Sequence, residues 1–127
     1  MADDTTKAMS GVILIDDDPG VRQACAEALR GAGLDVKEAT DGVEAFRLLS
    51  LVKERPCFVV LDLHMPRMDG LEFLEQLKTY PSAGDVRVLL VSGDPNVRAA
   101  EHFPGVVGVL SKPIQMNELL ASVNGVR

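Results

Sequence analysis

Short apolar runs alternate with segments of helical spacing along this chain, and the alternation repeats five times. The apolar runs predict strands at residues 11–15, 34–39, 57–61, 86–91 and 106–110. The spacing of apolar positions between them predicts helices at residues 19–30, 41–52, 70 to about 79, 95–102 and 114–123. Four of the strands (all but the second) are apolar without alternation, as expected when helices cover both faces. The pattern therefore predicts an α/β fold with one doubly wound parallel sheet.

The length of 127 residues fits one domain. We expect that domain to span residues 11–124, after a flexible polar tail at 1–10 and before a short C-terminal end at 125–127. No apolar stretch approaches the roughly 20 residues that cross a bilayer. The first ten residues do not have the pattern of a secretory signal, so a cytoplasmic protein is predicted.

Composition narrows the classes of partner. Hydrophobic residues make up 46% of the chain, and the net charge is −6 with a sequence pI near 4.8. A chain this acidic has no electrostatic footprint for nucleic acid or for an anionic membrane, so we expect neither as a direct partner. The two cysteines, Cys25 and Cys57, are predicted to be free buried thiols.

Polar side chains follow four of the predicted strands directly. Asp16, Asp17 and Asp18 follow the first strand, and the other three strands deliver Asp62, Ser92 and Lys112. In doubly wound sheets, ligands bind beyond the carboxyl ends of the strands, where the strand order reverses. We therefore expect these side chains to converge.

If the first and third strands are neighbours, Asp16, Asp17 and Asp62 share one pocket. Two carboxylates about 4 Å apart repel by roughly 4 kcal/mol at an effective dielectric of 20. Three need a raised pKa or a cation, and Mg²⁺ suits few carboxylates with several retained waters. The triplet alone is more typical of a helix N-terminus, where Asp18 would be the N-cap before Pro19, and Asp62 is what favours a site.

Asp62 has the strongest chemical signal, because an aspartate at a strand end can act as a nucleophile toward a phosphoryl group. Such a transfer needs mainly positioning and neutralised charge. Lys112 offers a compact positive charge, which a cis bond to Pro113 would help to direct inward. The hydroxyl of Ser92 can donate to a phosphoryl oxygen, and Gly93 leaves space beside it, although the same residues also form an ordinary turn.

Together these motifs resemble the receiver domain of bacterial two-component response regulators. The resemblance covers residues 11–123 and is carried, in this order, by ILIDDDPGVR, ATDGVEA, LDLHMPRMDG, VSG and SKPI. It implies a flavodoxin-like (βα)5 fold with strand order 2-1-3-4-5. It also implies that the chain is a signalling phosphoacceptor that assists its own phosphorylation and dephosphorylation, and not an enzyme.

The resemblance also implies roles for individual residues. Asp62 accepts the phosphoryl group from a sensor histidine kinase or a histidine phosphotransfer protein. Magnesium is held by Asp16, Asp17, Asp62 and the backbone carbonyl of His64. The phosphoryl oxygens are bound by Lys112, Ser92 and Gly93. The kinase docks on a face that contains Val21, Arg22, Cys25, Pro113 and Ile114.

Two departures from the family pattern fall on the output face. The position in the fifth strand that usually holds an aromatic switch residue is Val109, whose side chain is short and has no polar tip. The segment between Ser92 and Lys112 is also somewhat short and contains two prolines, so its helix is expected to be abbreviated or irregular. The downstream partner is not identified by either feature.

Two other functions share part of this pattern. A magnesium-dependent phosphohydrolase with an aspartyl nucleophile would place a second aspartate two residues after the first, where this chain has His64. An interaction module that works without phosphorylation would be expected to lose acidic or lysine positions, and none is lost. The sequence fits both a free-standing regulator and a receiver excised from a longer protein.

Overall fold

A computed structural model describes residues 11–52, 57–63, 70–80, 85–93 and 100–126. The strands in these segments are β1 (Gly11–Ile15), β2 (Asp35–Ala39), β3 (Cys57–Asp62), β4 (Val86–Ser92) and β5 (Val106–Ser111). The helices are α1 (Pro19–Gly31), α2 (Gly42–Leu49), α3 (Gly70–Leu77) and α4 (Met116–Val126).

All five strands form one parallel sheet in the order β2-β1-β3-β4-β5. The order reverses between β1 and β3, which are direct neighbours with Ile15 opposite Leu61. The predicted fold class and strand order are therefore confirmed. Each predicted strand end lies within one residue of the observed one, because the apolar runs are bounded by polar residues.

Alternate side chains of the strands enter two separate cores, one on each face of the sheet. Ile13 and Ile15 point to the face covered by α2 and α3, which we call the α2–α3 core. Val12 and Leu14 point to the face covered by α1 and α4, which we call the α1–α4 core. Burial of both faces explains why the central strands carry uninterrupted apolar sequence.

The first helix begins and ends where the sequence predicts. Asp18 is its N-cap, accepting hydrogen bonds from the backbone N–H groups of Gly20 at 2.9 Å and Val21 at 3.2 Å. The helix ends at Gly31, and Gly33 follows with φ of 90°, a left-handed conformation that glycine adopts without a steric penalty.

The second helix is shorter than predicted. Asp41 is its N-cap, with its side chain accepting from the N–H of Glu44 at 2.9 Å, so the helix begins one residue later. It ends at Leu49 and not at Val52, and the Ser50 hydroxyl donates to the carbonyl of Arg47 at 2.7 Å. A hydroxyl that competes for a helix-end carbonyl in this way favours termination.

The fifth strand is less buried than predicted. Its burial is intermediate at four positions, and Val107 and Ser111 are exposed. The reason is its place at the edge of the sheet, where β4 is its one neighbour among the described strands. A register shift places Val106 opposite Val88 but Gly108 opposite Leu89, so Val107 is an extra residue in the pairing.

The helix predicted at residues 95–102 lies mainly outside the described residues. Its last three residues form a single 3₁₀ turn, Ala100 to His102. The tail at 1–10 also lies outside the described residues. The last helix begins two residues later than predicted, at Met116.

Both cysteines are buried and neither is in a disulfide, as predicted. Within the segments that the structure describes, every helix is too short or too polar to cross a bilayer.

Candidate functional site

The carboxyl ends of the strands gather the polar residues that the sequence singled out. Asp62 is the last residue of β3, and Ser92 is the last residue of β4. Asp16 follows β1 directly, and Lys112 follows β5. Asp16, Asp62 and Ser92 are 2–3% exposed, so these three polar side chains are buried at the carboxyl ends of neighbouring strands.

Among the described residues, three carboxylates meet at this edge. Asp16, Asp17 and Asp62 each offer one oxygen, and these oxygens all lie within 4.8 Å of one another. Asp16 is fixed on two sides, because its N–H donates to the carbonyl of Ala39 at 3.1 Å and its Oδ1 accepts from the N–H of Asp18 at 2.9 Å. Asp17 is exposed, so the cluster is open to solvent on one side.

Lys112 brings a positive charge to the same cluster. Its Nζ donates to Oδ2 of Asp62 at 3.1 Å and lies 4.0 Å from Oδ2 of Asp16. Its backbone N–H donates to the carbonyl of Ser92 at 3.1 Å, which ties the ends of β4 and β5 together. The peptide bond between Lys112 and Pro113 is cis.

Burial and crowding change the acidity of the site. Burial raises the pKa of Asp16 to about 6, and the nearby charge of Asp62 adds to the rise, while the hydrogen bond from Asp18 and the charge of Lys112 lower it. Burial alone would lower the pKa of Lys112, but its hydrogen bond to Asp62 and the surrounding carboxylates outweigh that effect and raise it. The site therefore favours a cation beside its carboxylates.

The chemistry of these donors fits a small hard divalent ion. All three are carboxylate oxygens, two buried and one exposed, and the exposed side leaves room for retained water. Mg²⁺ takes oxygen ligands, needs few carboxylates and keeps several of its waters, so this set of donors suits it. The fourth ligand expected from the sequence, the carbonyl of His64, lies outside the described residues.

Ser92 and Val109 are connected through the sheet. Val109 lies opposite Leu90, and Ser92 lies opposite Ser111, so Val109 and Ser92 point to the same face of the sheet. Val109 is half-buried and packs against the α2–α3 core. Among the described residues, the atom nearest to a Cβ built at Gly93 is the Cβ of Lys112, in ordinary van der Waals contact at 3.8 Å.

A groove of about 270 Å³ adjoins the site. Val21, Pro113 and Ile114 line it, and Lys112 lies at its wall. Val21, Pro113 and Ile114 are three of the five residues predicted to dock a kinase. Cys25 is 1% exposed, so its prediction as a docking contact is corrected: it lies beneath this surface, in the α1–α4 core. Burial, together with the charge of Asp16, raises the pKa of its thiol to about 11.

Arg22, the fifth docking residue, is directed partly toward the acidic cluster. Its Nη1 donates to the main-chain oxygen of Asp16 at 2.8 Å, and its Nε pairs with Glu38 at 3.3 Å. The sequence offered no signal for this contact, because Glu38 lies on β2 and approaches α1 only in the folded chain.

Gly70 is a second position whose role the sequence did not reveal. A Cβ built at Gly70 would lie 2.6 Å from the Cα of Leu63 and 3.1 Å from the main-chain oxygen of Asp62. The N–H of Gly70 donates to the carbonyl of Leu63 at 3.0 Å. The start of α3 thus packs directly on the backbone that carries Asp62, which only glycine permits.

Comparisons with known proteins agree with this fold and site. The family model of the response regulator receiver domain matches residues 12–124. Among curated relatives, the response regulator MprA of Mycobacterium leprae (strain TN) is 36% identical over 112 residues, which are 88% of this chain and 48% of the relative. MprA of Mycobacterium sp. (strain KMS) is 38% identical over 110 residues, 87% of this chain and 47% of the relative. The chain thus spans about half the length of the curated relatives it matches.

Solved structures show the same architecture. The chemotaxis protein CheY4 of Vibrio cholerae superimposes with a TM-score of 0.84 at 26% identity, covering 94% of this chain and 99% of CheY4. A response regulator receiver protein from Pseudomonas putida gives a TM-score of 0.82 at 30% identity, covering 91% of this chain and 96% of the other. The fold and the family match define a receiver domain of two-component signalling, and this chain belongs to the response regulator receiver domain family.

Proposed function

We propose that Asp62 is the phosphoacceptor of this receiver domain and that it takes its phosphoryl group from a phosphohistidine of a sensor kinase or phosphotransfer protein. The observation that carries the proposal is the 3.1 Å contact between Lys112 Nζ and Asp62 Oδ2, beside three carboxylate oxygens within 4.8 Å of one another. A nucleophile, a fixed positive charge and a set of cation ligands thus lie at one point.

The proposed transfer is a single displacement at phosphorus. A carboxylate oxygen of Asp62 forms a bond to the phosphorus, and the phosphorus–nitrogen bond of the phosphohistidine breaks. The electron pair stays on the imidazole nitrogen, which takes a proton from solvent. The product on this chain is an acyl phosphate on Asp62.

Lys112 is proposed to bind the phosphoryl oxygens once they arrive. Its ammonium already lies against Asp62, and it is held there by the bond between its own N–H and the carbonyl of Ser92. A charge that is placed before the reaction needs little reorganisation as negative charge moves onto the transferred group. The hydroxyl of Ser92, at the end of the neighbouring strand, is proposed as a second donor, with Gly93 beside it.

Asp16, Asp17 and Asp62 are proposed to hold Mg²⁺, together with the carbonyl of His64. When bound, the ion supplies positive charge to the phosphoryl oxygens. Asp16 and Asp17 bind through carboxylates that belong to one short loop, whereas Asp62 belongs to the adjacent strand. Asp16 and Asp62 are both buried, and burial together with the charge of Asp62 raises the pKa of Asp16. Two negative charges are therefore unfavourable here unless a cation binds beside them.

The groove lined by Val21, Pro113 and Ile114 is proposed as the docking place of the phosphodonor protein. Its apolar lining and its position beside Lys112 support this assignment. A donor that fills the groove brings its phosphohistidine to the edge of the sheet where Asp62 lies. We place this exchange in the cytoplasm, on the grounds given by the sequence.

Val109 is proposed as the switch position of the output face. Its side chain shares a face of the sheet with Ser92, so a movement of Ser92 toward a phosphoryl group changes the packing around it. Contacts that exist only in the phosphorylated protein shift the population of the output surface. The effect is transmitted by repacking an aliphatic side chain, since valine has no polar tip.

The test is an intact-mass measurement after incubation with acetyl phosphate and Mg²⁺. The parent should gain the mass of one phosphoryl group, and the gain should disappear in Asp62→Asn and in the presence of a chelator. Asp35→Asn is the matched control, because Asp35 is an exposed aspartate at the opposite end of the sheet, where it pairs with Gly11. It should be labelled like the parent.

Two results would overturn the proposal. Labelling that persists in Asp62→Asn would place the phosphoryl group elsewhere, and a parent that is never labelled would favour an interaction module. Continued multiple turnover of a phosphate monoester would favour the phosphohydrolase.

A further inference from the structure

We propose that Arg22 is a positioning residue of the acidic site and that it acts by holding the peptide between Asp16 and Asp17. The expected effect of Arg22 on Mg²⁺ binding rests on the proposed function of the site. Arg22 Nη1 donates to the main-chain oxygen of Asp16 at 2.8 Å, and this oxygen belongs to the peptide unit that leads into Asp17.

Asp17 needs such support more than its two partners. Asp16 and Asp62 are 3% and 2% exposed and are surrounded by core residues, whereas Asp17 is exposed. The direction of its side chain depends on the plane of the preceding peptide, because that plane sets where its Cα and Cβ lie. A donor on the carbonyl of Asp16 fixes this plane directly.

Two other bonds hold the loop around this peptide, but neither of them contacts the carbonyl of Asp16. The N–H of Asp16 is bound to the carbonyl of Ala39 at 3.1 Å, and its Oδ1 accepts from the N–H of Asp18 at 2.9 Å. These bonds hold Asp16 and the N–H of Asp18, the residues on either side of Asp17. The carbonyl of Asp16 is held by Arg22, so each of these backbone groups of the loop has a hydrogen bond.

Arg22 is itself oriented by Glu38. The Nε of Arg22 pairs with Oε1 of Glu38 at 3.3 Å, and the side chain of Arg22 is only 18% exposed. Arg30 binds the other oxygen of Glu38 at 3.1 Å and also donates to the carbonyl of Val36 at 2.8 Å. Glu38 thus lies between two arginines, and the inner one reaches the site.

The geometry requires arginine and not merely a positive charge. One guanidinium donates through Nε to a carboxylate on β2 and through Nη1 to a carbonyl after β1. These donors lie in the fixed planar fork of the side chain. A lysine ammonium is a single point on a flexible stem, so Arg22→Lys keeps the charge and loses the simultaneous contact.

The first test examines positioning without metal. Backbone order at Asp17 is measured by NMR relaxation in the metal-free chain for the parent, Arg22→Lys and Glu38→Gln. We expect the Asp17 order parameter to fall in both variants. Arg47→Lys is the matched control, because Arg47 is a 64% exposed arginine that pairs with Glu44 at 3.8 Å on α2. Its Asp17 order should equal that of the parent.

The second test measures the consequence. The Mg²⁺ dissociation constant, determined by calorimetry, should rise roughly 10-fold in Arg22→Lys, at the low end for loss of an outer hydrogen-bond partner of a metal site. The rate of labelling by acetyl phosphate at saturating Mg²⁺ should stay close to that of the parent, because Asp62 and Lys112 are unchanged. A purely structural loss would lower that rate as well.

The outcomes separate the two proposals. Unchanged Asp17 order in both folded variants would overturn the role of Arg22 and leave the phosphoacceptor proposal standing, provided that the parent binds Mg²⁺ and is labelled. Lower Asp17 order with an unchanged dissociation constant would also overturn the role as stated. A parent that does not bind Mg²⁺ would overturn the proposed function and, with it, the role of Arg22 in the site.

Discussion

Two neighbouring loops at the carboxyl edge of the sheet each contain a buried aspartate, and of these two aspartates only Asp16 lies in the carboxylate cluster. Asp16 follows the central strand β1, and Asp41 follows the edge strand β2; they are 3% and 2% exposed. Asp41 accepts from the N–H of Glu44 as an ordinary N-cap. Asp16 instead faces Asp62 across the sheet, because β1 has β3 as its second neighbour.

The difference shows that neither burial nor residue type determines which strand-end aspartate joins the carboxylate cluster. In the α1 loop the capping role belongs to Asp18, which is exposed, and this leaves Asp16 and Asp17 for another purpose. In the α2 loop the buried aspartate is itself the cap. The neighbouring strand decides which role a strand-end carboxylate takes.

We expect the largest effect from a substitution of Lys112, whose Nζ lies beside Asp16 and Asp62. Lys112→Gln should slow labelling by acetyl phosphate roughly 100-fold, the scale for loss of one preorganised charge or donor at a reacting group. Lys37→Gln, which changes a half-buried lysine on β2 beside the α2 loop, should leave the rate unchanged. Equal rates for the parent and Lys112→Gln would mean that the 3.1 Å contact with Asp62 is not used in the transfer.

The next effect concerns the acidity of Asp16 in the metal-free protein. Its pKa of about 6 lies above the ordinary value of 3.8, so folding favours its neutral form. That contribution to stability is fully present below pH 4 and is lost as the pH rises through 6. Asp16→Asn mimics the neutral form and should be about 1–3 kcal/mol more stable than the parent at pH 7 in chelator.

Denaturant unfolding at pH 4 and pH 7 measures this difference. The advantage of Asp16→Asn over the parent should shrink toward zero at the lower pH. Asp41→Asn is the control and should bring no comparable gain, because an asparagine replaces one good N-cap by another. A variant Asp16→Asn that is less stable than the parent at pH 7 would contradict the crowding of the carboxylates.

Much of the fold follows from the sequence alone, for a physical reason. Strands such as β3 and β4 are continuous apolar runs bounded by polar residues, so their ends are visible without tertiary information. Helix ends are harder to see in the sequence. The helix α2 ends at Leu49, where the hydroxyl of Ser50 binds the carbonyl of Arg47. The low burial of β5 could not be predicted from its composition, which is as apolar as that of a central strand.

The core of the site was also predictable, because parallel strands place their carboxyl ends together. Asp16, Asp62 and Lys112 are assembled by this rule. Two other contacts could not be predicted, because each depends on how two separate elements pack. They are the contact of Arg22 with the Asp16 carbonyl and the close approach of Gly70 to Leu63. The burial of Cys25 under the groove belongs to the same class.

We expect the smallest effect from removing the N-caps of α1 and α2, Asp18 and Asp41. Asp41→Ala should destabilise the protein by about 1–2 kcal/mol and Asp18→Ala by about 0.5–1 kcal/mol, since both remove an N-cap but only Asp41 is buried. Denaturant unfolding in chelator measures both without interference from metal binding. A larger loss in Asp18→Ala would reverse the assigned difference between the two loops.

The most direct measurement is the Mg²⁺ affinity of Asp16→Asn set against that of Asp41→Asn, by calorimetry at pH 7. Asp16→Asn should weaken binding at least ~10-fold, because it removes a proposed ligand, whereas Asp41→Asn should bind like the parent. Equal losses in the two variants, or binding that survives Asp16→Asn unchanged, would contradict a cation site at the ends of β1 and β3.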